Sequence, residues 1–176
     1  MKTLTSWVLT AAFVVAAPMS LAKSDSGDWP RYGSSAASTK YAPFDQINKD
    51  TVKDLGVSWI WDSVDNADIK LRPGLVPPGY KSTPIKVGDV LYTSTSLGSV
   101  VALDAETGQR CPDFGDNGEV DVTHGLSEHN PEDYSITSPP AILGDRIITG
   151  AMVLDNHKTN VPSGVVRSYD VRTGEF

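Results

Sequence analysis

The 176-residue chain has one cysteine, Cys111, three histidines, and no long apolar stretch beyond its first two dozen residues. A single cysteine excludes an intramolecular disulfide even in an oxidising compartment, so the fold must hold by packing. Cys111 then reads as a small buried hydrophobe. Basic residues are few: 15 Lys and Arg stand against 22 Asp and Glu, for a formal charge of −7. That balance excludes a nucleic-acid surface, because phosphate binding needs clustered cations. His124, His129 and His157 lie in polar stretches, with no helical or hairpin spacing that pairs them as in a zinc site, and read as exposed. Sustained helical periodicity is missing after residue 22, and only Asp50–Leu55 predicts a short helical turn.

What is present begins with a leader. Lys2, the apolar run Trp7–Ala17, and small residues Ser20 and Ala22 around Leu21 have the form of a secretory signal peptide. The run is shorter than the about 20 apolar residues of a spanning helix, although an uncleaved anchor is the alternative. Removal of residues 1–22 would leave residues 23–176, one domain without a transmembrane helix.

The chain's 15 Gly and 12 Pro, all but Pro18 in that remainder, are spread between short β-rich runs, which predicts an all-β fold. The predicted strands are Gly56–Trp61, Val90–Thr95, Val100–Leu103, Arg146–Thr149 and Val165–Tyr169. Thr83–Tyr92 is similar to Pro139–Ile148, each reading as strand, Gly-Asp turn, strand. Val100–Gly108 and Val165–Gly174 share a strand followed by Asp-x-x-Thr-Gly. There the Asp carboxylate and Thr hydroxyl can bond turn amides while Gly takes the strained position. Gly88 recurs 56 residues later at Gly144, but Gly108 recurs 66 residues later at Gly174, so the second copy holds ten more residues. They fall around Val153–Pro162, either as a loop on a binding face or as decoration. Strand-turn-strand repeats of this kind predict a β-propeller. At roughly 40–50 residues per blade, the exported part allows about three blades, a partial ring.

The residues resemble the PQQ-dependent (quinoprotein) dehydrogenases of the bacterial periplasm, especially the branch of membrane quinoprotein glucose dehydrogenases. Trp29–Gly33, Lys40–Asn48 and Leu55–Trp59 are similar to the family's entry into its propeller, and Lys81–Tyr92 to its first inner hairpin. Asp113–Asp121 resembles the loop before a following blade. Thr137-Ser138-Pro139-Pro140, with Asp155-Asn156 and Pro162–Arg167, is the most specific part. The resemblance implies about eight four-stranded blades, pyrroloquinoline quinone (PQQ) in the channel and a Ca²⁺ or Mg²⁺ ion on the quinone. It further implies oxidation of a sugar, polyol or alcohol, with an Asp taking the hydroxyl proton and electrons passing to a quinone or cytochrome.

By motif match, Asp155 and Asn156 are the metal ligands, and their carboxylate and amide oxygens suit a hard divalent cation. Thr137 and Ser138 fall where the family contacts its cofactor, and their hydroxyls can donate to PQQ carboxylates. Read without the family, Asp-Asn is a turn and Thr-Ser a strand opening. Four departures stand out. Gln109-Arg110-Cys111-Pro112 replaces the Trp that commonly follows the Thr-Gly turn, and Lys81 stands where many members have an acid. The adjacent cysteine pair of some alcohol-oxidising members is missing. Gly108 and Asp113 are nearly adjacent, where about one more blade is expected. No catalytic residue is assigned. The chain alone is expected to be the N-terminal part of the enzyme, neither binding PQQ tightly nor turning over substrate. A non-catalytic envelope propeller and a gene remnant are the alternatives.

Overall fold

The computed structural model describes residues 27–176, so the signal peptide expected at Met1–Ala22 lies outside the described residues. The Gly-Asp repeat builds two matching hairpins. β1 (Ile85–Val87) and β2 (Val90–Ser94) flank Gly88-Asp89, with Val87 opposite Val90. β6 (Ala141–Leu143) and β7 (Arg146–Thr149) flank Gly144-Asp145, with Leu143 opposite Arg146. In each two-residue loop glycine alone takes positive φ, +57° at Gly88 and +59° at Gly144, as a Gly-first hairpin loop requires.

β3 (Ser99–Asp104) returns beside β2, and β4 (Glu119–Asp121) pairs with β3, giving a four-stranded antiparallel sheet in the order β1-β2-β3-β4. β9 (Arg167–Asp170) returns beside β7, giving a sheet in the order β6-β7-β9. The extra residues of the second copy lie between β7 and β9 and carry β8 (Met152–Val153), which pairs with β5 (Tyr134–Ser135). The insertion is therefore tied into the fold through its own strand. Two blade-like sheets, in line with a partial propeller, are preceded by a long arm.

After β3 and β9 the Asp-x-x-Thr-Gly turns form as the repeat predicts. Asp104 Oδ1 accepts from the Glu106 amide at 3.1 Å and from the Thr107 amide and hydroxyl, both at 2.7 Å. Asp170 Oδ1 accepts from the Arg172 and Thr173 amides at 2.8 and 3.0 Å. The core lies between the sheets, where Val100, Ala102, Phe114, Tyr134, Ile147 and Tyr169 are buried together. Phe114 meets Tyr92 edge-on with ring centroids 5.8 Å apart. The Tyr92 hydroxyl crosses to the second sheet and donates to the Val171 carbonyl at 2.7 Å; burial pushes its pKa up to about 12.

Three expectations are corrected. Gly56–Trp61 is no strand: it pairs with none of the described strands, and Val57 and Ile60 are 80% and 87% exposed. Trp59 instead turns back onto the first Asp-x-x-Thr-Gly turn, its indole donating to the Ala105 carbonyl at 3.3 Å and covering Gly108. An indole thus sits on that turn, but the arm supplies it. A helix, α1 (Asp65–Leu71), forms where none was predicted; two turns are too short to show a 3.6-residue period. The strand expected at Val165 begins at Arg167, with Val165 and Val166 in the preceding loop. The arm also joins the sheets: Trp29 exchanges backbone hydrogen bonds with Lys86, and the Ile142 amide donates to the Pro30 carbonyl at 3.0 Å.

Candidate functional site

Thr137 is half-buried and Ser138 exposed, directly before Pro139-Pro140 and β6. Among the described residues neither hydroxyl has a hydrogen-bond partner, so both are free to donate. Ser94 Oγ lies 3.1 Å from the Ser138 carbonyl and 2.7 Å from Ser82 Oγ. Thr93 Oγ1 lies 2.7 Å from the Tyr80 hydroxyl. Ser82, Thr93 and Ser94 are all buried. These hydroxyls escaped the sequence reading, although Thr93-Ser94-Thr95-Ser96 is a polar run ending an otherwise apolar strand, and buried hydroxyls normally have a specific reason. Ser135 Oγ, two residues before Thr137, is buried without a partner among the described residues.

Asp155 and Asn156 sit in the turn after β8, exposed, and their side-chain oxygens have no partner among the described residues. The segment around them is anchored on both sides. The Leu154 amide donates to the Asp133 carbonyl at 3.2 Å, and Lys158 pairs with the Asp133 carboxylate. That lysine, more than the Asn130 amide, holds the Asp133 carboxyl below its ordinary pKa. Free hard oxygens on an anchored turn fit Ca²⁺ or Mg²⁺ in kind, but they are two of the about six to eight that Ca²⁺ takes. Among the described residues no group of three His, Cys, Asp or Glu side chains is placed to hold a metal.

The two candidate pairs are not brought into one cluster. With Tyr134 opposite Val153 and Ser135 opposite Met152 in an antiparallel pair, Thr137 leaves one end of the ladder and Asp155 the other. Tertiary structure does bring His129 and His157 to one polar cavity of about 630 Å³, with Asp133 and Lys158 in its wall. No helical or hairpin spacing in the sequence had paired them. His157 is exposed as expected, whereas His129 is half-buried.

Asp65 on α1 also escaped the sequence reading. It is buried, and burial raises its pKa against the hydrogen bonds it accepts, including one from the Leu97 amide at 3.1 Å. It lines a cavity of about 350 Å³ with Trp61 and Tyr80. A third cavity, of about 450 Å³, adjoins β9 and is lined by His124, Arg167 and Tyr169. The Tyr134 and Tyr169 hydroxyls and Arg167 Nε are buried without partners among the described residues.

The turn carboxylates predict an acid limb of stability. The Asp104 carboxyl is lowered chiefly by the Thr107 hydroxyl, and that of Asp170 chiefly by the Arg172 amide. A depressed folded-state pKa contributes stability above the unfolded value that is lost as pH falls through the folded one. Asp65, raised, acts in the opposite sense and loses its contribution as pH rises. The melting temperature should therefore fall as pH drops below about 4, the ordinary Asp range. Asp104→Asn should flatten that limb in thermal unfolding between pH 3 and 7. An unchanged limb would assign the acid sensitivity elsewhere.

Residues 29–110 and 98–176 each match the family model described as glucose/ethanol/alcohol dehydrogenase, β-propeller domain (PQQ). The chain is 27% identical over 220 aligned positions to the glycerol dehydrogenase large subunit of Gluconobacter thailandicus, covering 91% of this chain and 29% of that protein. It is 27% identical over 219 positions to quinoprotein glucose dehydrogenase A of Acinetobacter calcoaceticus, covering 85% and 27%. Over 87 positions it is 43% identical to the quinate/shikimate dehydrogenase (quinone) of Acinetobacter baylyi, covering 49% and 11%. The chain thus spans under a third of the length of these relatives. The solved quinohemoprotein alcohol dehydrogenase of Comamonas testosteroni superposes with a TM-score of 0.43 at 23% identity, over 84% of this chain and 26% of that one.

Proposed function

The chain belongs to the PQQ-dependent glucose, ethanol and alcohol dehydrogenase β-propeller family, and from that premise we propose that it forms part of a periplasmic quinoprotein dehydrogenase acting on a sugar, polyol or alcohol. The observation that carries this reading is the family match, which runs through nearly every described residue, including both candidate pairs. When bound, PQQ would supply the hydride acceptor, and a quinone or cytochrome would take the electrons onward.

In this reading the chain's residues bind and orient. Thr137 and Ser138 would donate their free hydroxyls to PQQ carboxylates, while Ser94 fixes the Ser138 backbone. Asp155 and Asn156 would supply two oxygens to Ca²⁺ or Mg²⁺, an ion that would provide Lewis-acid chemistry to the quinone. The Lys158–Asp133 pair holds the metal turn in place. No helix among the described residues is long and apolar enough to cross a membrane.

In a version of this chain completed to the full propeller, or at the matching positions of an intact relative, Asp155→Ala with Asn156→Ala should weaken Ca²⁺-dependent PQQ binding by at least roughly tenfold, since the ion loses two ligands. PQQ fluorescence titration with and without Ca²⁺ measures this. Equal metal and PQQ affinity in the double variant would leave the loop as decoration. Export should remove residues 1–22, so mass spectrometry of the periplasmic product should find a chain beginning at Lys23. A product beginning at Met1 would refute processing.

A further inference from the structure

We infer that residues 98–110 do the work of two successive family units, so that β1–β4 is a composite blade and the contact between residues 29–97 and residues 111–176 is an interface created by that fusion. The inference concerns the chain's architecture and stands apart from the cofactor reading.

The first observation is the overlap of the two family matches. Residues 98–110 end one match and begin the other. A single strand and Asp-x-x-Thr-Gly turn thus fit two places in the family pattern. The second is length. The alignment to the Gluconobacter thailandicus relative runs over 220 positions but takes in 91% of this chain, about 160 residues, so about 60 positions of the relative have no counterpart here. That excess is somewhat more than one blade, for which roughly 40–50 residues is usual. The repeat explains how such a fusion can be silent. Strand plus Asp-x-x-Thr-Gly recurs in each unit, so the end of one can continue as the end of the next without breaking the pattern.

The structure shows the join made good. β3 is paired on both sides, with β2 from Val90 opposite Asp104 to Ser94 opposite Val100, and with β4 from Ser99 opposite Asp121 to Val101 opposite Glu119. β2 belongs only to the first match and β4 only to the second. The two parts also meet directly. Tyr92 donates to the Val171 carbonyl at 2.7 Å, Ser94 Oγ lies 3.1 Å from the Ser138 carbonyl, and the Ile142 amide donates to the Pro30 carbonyl at 3.0 Å. The missing segment expected between Gly108 and Asp113 therefore belongs within residues 98–110, since both matches claim that stretch.

The test uses the full chain without PQQ or metal, so its failure and that of the cofactor reading are distinguishable. Amide hydrogen exchange should show Cys111 and Val122, which donate to Ala102 and Gly98 at 2.9 Å each, protected with β2 and β3, on the order of a hundredfold above loop amides. Tyr92→Phe combined with Ser94→Ala should lower the folded-to-unfolded ratio roughly 25-fold, about fivefold for each hydrogen bond. Loop-like exchange across residues 111–122 while β2 and β3 stay protected would overturn the composite blade. A double variant as stable as the parent would overturn the interface.

Discussion

Replacing Gly174 by alanine is expected to destabilise the protein by about 3 kcal/mol, whereas the same change at Gly144 should cost about 1 kcal/mol. Both glycines have positive φ, +71° and +59°, so both alanines bear the left-handed penalty of roughly 1–2 kcal/mol. They differ in what the new methyl group meets. At Gly144 nothing lies within 4 Å, while at Gly174 it would stand 2.5 Å from Val120 Cγ2 and 2.9 Å from the Gly115 backbone nitrogen. Gly115 also donates its amide to the Thr173 carbonyl at 2.8 Å, so the clash falls where the second Asp-x-x-Thr-Gly turn seats against the first sheet. Overpacking of this kind adds roughly 1–3 kcal/mol. Against a total stability of about 5–15 kcal/mol, the difference should be plain in urea unfolding. Equal losses at the two positions would show that the turn does not bear on the first sheet.

Phe114→Ala should cost more, about 3–5 kcal/mol, the usual range for emptying a buried aromatic site. Phe114 is 2% exposed and meets Tyr92 edge-on at 5.8 Å, so truncation removes core volume and an aromatic pair together. It should also loosen Tyr92, whose hydroxyl joins the sheets through Val171. Phe114→Leu, which refills most of the volume, should recover more than half of the loss. Thermal unfolding of the two variants decides the matter; a small loss for alanine would mean that the Asp113–Gly115 loop is only a surface feature.

This second result bears on how a family-like segment is read. Asp113–Asp121 stood out in the sequence as a loop before another blade, yet its phenylalanine is core and its last three residues are β4, the fourth strand of the preceding sheet. Similarly, the ten extra residues of the second repeat could be counted from glycine spacing, but no spacing could show that they carry β8 or that β8 pairs with β5. His129 and His157 have no spacing that pairs them in sequence, and only chain folding brought them to one cavity.

The sequence by itself determined the local units. Glycine placement fixed both Gly-Asp hairpins, and the Asp and Thr side chains fixed both following turns, because these depend on positive φ and on hydrogen bonds spanning three residues. It also carried the family, through short motifs spread along the chain. Tertiary structure alone decided which β-prone runs became strands, since a strand needs a partner and Gly56–Trp61 pairs with none of the described strands. It decided too that Ser82 and Ser94 gather beside Ser138, that Asp65 is buried beneath Leu97, and that Thr137 and Asp155 leave opposite ends of one ladder. Such proximities join residues far apart in the chain and arise only when the sheets pack against one another.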